Sequence, residues 1–104
     1  MSELNEILLH NYFRNLVNKF FKILPMRESE DVSLPLYIEG LKHELLGCES
    51  LELNFSKDPD YGSLIFILEY IIQNPNCTVK QVKREVFKAI DLCKKLSNRY
   101  AEEE

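Results

Sequence analysis

The sequence predicts an all-α fold, a compact four-helix bundle with a short extended segment between the second and third helices. Three observations carry this expectation. Apolar residues recur at three- and four-residue spacings in four stretches, the period of amphipathic helices. Helix-start residues and prolines separate those stretches. A chain of 104 residues, 45% hydrophobic and 11% aromatic, can enclose one core, so residues 1–104 form a single helical domain.

The first helix covers residues 2–24. Leu9, Tyr12, Phe13, Leu16, Val17, Phe20, Ile23 and Leu24 form its stripe, Ser2 is its N-cap, and Pro25 is expected to stop it. Leu4, Ile7, Leu8 and Phe21 widen the apolar arc beyond one stripe, which predicts neighbours on two sides. The loop "MRESEDVS" leads to Ser33, a cap for the second helix, with Pro35 tolerated in the first turn. Gly47 is expected to end that helix, and Gly40 inside it predicts a close crossing by another helix.

In "CESLELNFSKDPD", Leu51, Leu53 and Phe55 alternate with polar residues, a strand period. The segment is read as an extended strip over the bundle, or as a strand pairing with a second molecule. Asp58, Pro59 and Asp60 open the third helix, whose body "YGSLIFILEYIIQ" is apolar around most of its circumference and is therefore expected to be central. Pro75 ends it. Thr78 and Gln81 form a capping box for the fourth helix, which packs through Val82, Val86, Ile90, Cys93 and Leu96.

Charge is unevenly placed. Residues 27–60 carry nine acids and three bases, whereas residues 78–100 carry seven bases and two acids, in a chain of net charge -4. One account is internal attraction between the basic helix and the acidic middle; another is an acidic surface that meets a basic partner. Nucleic-acid binding through Lys80, Arg84, Lys88 and Lys95 is the alternative. It is the weaker reading, because a net negative chain repels phosphate and no helix-turn-helix, RNP or zinc-finger pattern is present.

Signatures of chemistry are missing. Three glycines cannot build the usual phosphate loop, and GxSxG, HExxH and calcium-loop patterns are absent. His10 with Glu6, and His43 with Glu39, share helix faces but read as ordinary surface pairs, so no metal and no cofactor are expected. Cys48, Cys77 and Cys93 form no CxxC pair and are taken as structural. No 18-residue apolar window predicts a membrane span, and the acidic start does not resemble a signal peptide, so a cytoplasmic, non-enzymatic protein is expected.

Taken together, "FFKILPMRE", "LPLYIEGLKHELLG", "YGSLIFILEYI" and "VKREVFKAIDLCKKL" resemble short uncharacterised all-helical proteins of Gram-positive bacteria and their phages or mobile elements. The resemblance touches most of the chain and transfers no functional residue. It implies a setting in which small acidic proteins block or adapt a larger one. The expected function is thus protein binding, as an adaptor or inhibitor. The expected interface is Leu8, Phe21, Leu51, Leu53 and Phe55, facing another protein or a second copy in a homodimer.

Overall fold

Pro25 does not end the first helix. The computed structural model describes residues 3–101 and, within them, the side chains of residues 7–52 and 55–100. The Ser2 cap therefore lies outside the described residues. Helix α1 (Glu3–Phe21) passes through Lys22, still in right-handed helical geometry, into α2 (Ile23–Glu28), with Pro25 inside. Pro25 has no N–H for the Phe21 carbonyl, and a proline within a helix costs about 3 kcal/mol. Ile23 and Leu24, both buried, offset that loss at about 1.5–3 kcal/mol each.

The rod ends at Glu30, whose φ of 56° makes the left-handed cap that glycine usually supplies. Asp31 N–H donates to the Met26 carbonyl at 2.9 Å, and Glu30 N–H donates to that of Arg27 at 3.2 Å. Ser33, expected as the next cap, makes no capping bond with its side chain. The Asp31 carboxylate instead accepts from the Ser33 N–H at 2.8 Å and its hydroxyl at 2.6 Å, which holds it below the usual carboxylate range.

Helix α3 (Leu34–Leu51) continues past Gly47 rather than stopping there. Gly40 is not crossed within the chain, since a Cβ built on it would meet nothing within 4 Å. The extended segment expected over residues 49–57 is absent. Only Glu52 is extended, between α3 and a single turn, α4 (Leu53–Ser56). A lone strand would leave its N–H and C=O groups unpaired, whereas here Glu52 N–H reaches the Cys48 carbonyl and Phe55 N–H that of Glu52, both at 3.0 Å.

Helices α5 (Pro59–Gln73) and α6 (Val79–Ala101) start where local chemistry dictates. Asp58 accepts from the Asp60 N–H at 2.9 Å, with Pro59 in the first turn. Thr78 and Gln81 exchange side-chain-to-backbone bonds at 2.9 and 3.1 Å, a complete capping box.

The long rods run antiparallel to their neighbours. His10 faces Ser97 and Arg27 reaches the Cys77 carbonyl, so α1–α2 descends along α6. Tyr12 meets Cys48 while Tyr37 meets Lys19, and Tyr61 meets Leu45 while Glu69 pairs with Lys42. The result is an all-α four-helix bundle, with α4 closing one end. There Phe13, Phe55, Tyr61 and Tyr100 pack as one ring cluster; Phe55 stacks on Tyr61 at 4.6 Å and Phe13 on Tyr100 at 5.8 Å. Helix α5 buries Leu64, Ile67, Leu68 and Ile71 but is a corner of the bundle rather than its centre, because Phe66 is 72% exposed.

Candidate protein-binding surface

Leu36, Gly40, His43, Gly47 and Leu51 follow one another on α3 at steps of three or four, so they share one outward stripe. Leu36 is 77% exposed and Leu51 is 88% exposed, one at each end of the helix. Alongside lies a groove of about 530 Å³ between α1 and α3. Leu36, Tyr37, Gly40 and Leu41 line it, with Lys19 and Lys22 at its α1 edge.

Polar contacts hold the walls of this groove. The Tyr37 hydroxyl donates to the Lys19 carbonyl at 2.7 Å, and the Lys22 ammonium lies 5.3 Å from the Tyr37 ring centre. Lys19 donates to both Glu44 carboxylate oxygens at 2.9 and 3.0 Å, and Tyr12 donates to the same carboxylate at 2.8 Å. The Cys48 thiol donates to the Tyr12 oxygen at 3.5 Å. Burial, then the Cys48 and Glu44 bonds, push the Tyr12 phenol well above its ordinary range, so the network keeps its protons.

The interface residues expected from the sequence do not come together. Leu8 and Phe21 are both about half exposed, but 13 residues separate them, which turns them about 140° apart around α1. Phe55 is core, 2% exposed, and cannot meet a partner in this fold. The side chain of Leu53 lies outside the described residues. Of the two described side chains of the α3–α4 set, Leu51 is freely presented and Phe55 is not.

Lys80, Arg84, Lys88 and Lys95 are all exposed, as a phosphate-contacting flank requires. Their field is interrupted, however. Glu85 lies 3.2 Å from Lys88 and 3.9 Å from Arg84, and Asp60 lies 3.8 Å from Lys95. Arg99 bridges Asp58 and Asp60, so the C-terminal half of the basic helix is tied to the acidic middle of the chain. The sequence reading missed a different cationic notch, of about 490 Å³, where Arg14 of α1 and Lys94 of α6 converge beside His10. No signal within one helix could have found it, because its residues are about 80 positions apart.

No group of three side chains able to hold a metal occurs among the described residues. His43 makes a solvent-exposed pair with Glu39 at 3.5 Å. His10 faces α6, where its Nδ1 approaches the Ser97 carbonyl. Cys93 is fully buried and its thiol is pushed up to about 12, which leaves it inert at neutral pH. A third concavity, about 330 Å³, opens where Pro35 and Ile38 face Ile71, Ile72 and Cys77; its surface is mostly apolar. Among the described residues no helix is long and apolar enough to cross a membrane. Compared with protein-family models, with curated proteins and with solved structures, the chain has no match.

Proposed function

We propose that this chain is a protein-binding module, an adaptor or inhibitor that acts by occupying a surface rather than by chemistry. The observation that carries the reading is the outer face of α3. It presents Leu36 and Leu51 to solvent at 77% and 88% exposure, next to a preformed groove. Contiguous apolar surface marks interaction sites, and here the exposed Leu36 side chain continues into the groove lining formed by Tyr37, Gly40 and Leu41. The resemblance to short helical proteins of bacteria and their mobile elements suggests a host or defence protein among the candidates for capture.

An affinity pull-down from the native host tests the reading. Wild-type protein and a Leu36→Glu/Leu51→Glu variant are used side by side, with captured proteins identified by mass spectrometry. The proposal expects at least one protein retained by the wild type and lost with the variant. Equal capture by both would remove α3 as the surface. Salt-sensitive binding of DNA or RNA in a gel shift, abolished by changing Lys80, Arg84 and Lys88 to Gln, would favour the nucleic-acid alternative instead.

A further inference from the structure

The face of α3 is complementary to itself. Leu36 and Gly40 are four residues apart, and so are Gly47 and Leu51. A two-fold axis placed between residues 43 and 44 therefore sets Leu36 level with Leu51 of the other copy and Gly40 level with its Gly47. We infer that this face binds a second copy of the chain, with the two α3 helices antiparallel and each Leu51 entering the α1–α3 groove beside Gly40 of the other copy. This deepens the reading of α3 as a protein-binding face and rests on it.

Four observations support the second copy as occupant. The groove and the side chain that fills it sit at matching heights about the axis, because the groove is lined by Leu36, Tyr37 and Gly40, and Leu51 of the other copy lies level with Leu36. Neither Gly40 nor Gly47 is needed within the chain, since a Cβ on either would meet nothing within 4 Å. Each costs about 1 kcal/mol of helix propensity, and their absent side chains let two helix axes approach at the near end of the usual ~8–10 Å spacing. Charge agrees as well: Leu51 lies in the last turn of α3, whose carbonyl ends are partially negative, and docking brings that turn toward Lys22 at the groove edge.

Size is the fourth. An 18-residue helix is about 27 Å long, and a contact confined to one face of that length falls at the small end of specific interfaces, where association is reversible rather than obligate.

Sedimentation equilibrium or light scattering on the purified full chain, across micromolar concentrations, tests this. The expected result is a mass rising from 12.3 kDa toward twice that value. Leu51→Glu and Gly40→Leu should each weaken association at least about tenfold while leaving the circular dichroism spectrum unchanged. Phe66→Glu, at a position 72% exposed on another face, should leave the dimer intact. With Cys48 and Cys77 changed to Ser, His43→Cys should oxidise to a covalent dimer, because position 43 lies at the axis. A 12.3 kDa monomer throughout, or a dimer lost with Phe66→Glu and kept with Leu51→Glu, overturns the inference. A monomer that still captures a host protein through Leu51 would leave the protein-binding reading in place and remove the second copy.

Discussion

His10 and Ser97, 87 residues apart, clasp the first helix to the last. The His10 Nδ1 lies 2.8 Å from the Ser97 carbonyl oxygen and 2.9 Å from its hydroxyl, and that hydroxyl donates to the His10 carbonyl at 3.1 Å. A carbonyl only accepts, so Nδ1 carries the proton and Nε2 is the ring nitrogen left for other contacts. The bonds between α1 and α6 are therefore reciprocal, and Ser97 is buried to 3% exposure.

Removing either partner should cost more than an exposed hydrogen bond. Ser97→Ala and His10→Ala are each expected to destabilise by about 1–3 kcal/mol, because each leaves a polar group at a helix interface without its partner. The two losses should be strongly non-additive in a double-mutant cycle of chemical denaturation. Additive losses would show that the clasp is not one unit.

Phe55 separates core from interface. It stacks on Tyr61 and meets Phe13 edge-on at 5.5 Å, so Phe55→Ala should cost about 3–5 kcal/mol. The same change at exposed Phe66 should move stability by less than about 1 kcal/mol. A small effect at Phe55 would return that residue to the surface.

Glu30 occupies a backbone conformation that costs an ordinary residue about 1–2 kcal/mol. Glycine adopts it freely but loses more entropy on folding, so Glu30→Gly should stabilise by about 0.5–1 kcal/mol. Thermal unfolding would register the gain as a raised midpoint.

High pH should unfold the protein. Burial raises the Tyr12 and Tyr61 phenols well above the ordinary value of about 10, so the folded chain holds protons that the unfolded chain releases. The associated stability is complete below pH ~10 and is lost as pH rises further. Tyrosinate absorbance should show at least one component that appears only together with loss of helical signal. Cys93 should likewise resist thiol reagents at neutral pH until denaturant is added.

Changing Lys80, Arg84 and Lys88 together to Gln should leave the fold intact and shift stability by no more than about 1 kcal/mol. The Lys88 and Arg84 side chains are themselves exposed, so their pairing with the largely covered Glu85 carboxylate is screened by solvent and stays on that scale. A loss of several kcal/mol in chemical denaturation would show that the flank is structural.

Much of the bundle was legible in the chain because its signals are local. Thr78 with Gln81, and Asp58 with Pro59, lie within one turn of the groups they cap, so spacing alone identified them. Periodicity found the buried stripe of each long helix for the same reason. Pro25 and Gly47 misled because propensity is a small local term. Burial of Ile23 and Leu24 outweighs the bond that Pro25 removes, and α3 has no need to stop at Gly47.

The sequence by itself determined four amphipathic rods, where most of them begin, and the charge contrast between the middle and the last helix. Tertiary structure alone decided which surplus apolar side chains are covered. Phe55 and Phe66 are the same residue type; one closes the ring cluster and the other faces solvent, because only the fold brings Phe13, Tyr61 and Tyr100 around position 55. It also decided that Arg99 would bridge Asp58 and Asp60, and that the α3 face would lie open beside a groove. The reason is range: capping and periodicity act within about four residues along a helix, whereas burial is set by neighbours that are remote in sequence and become adjacent only on packing.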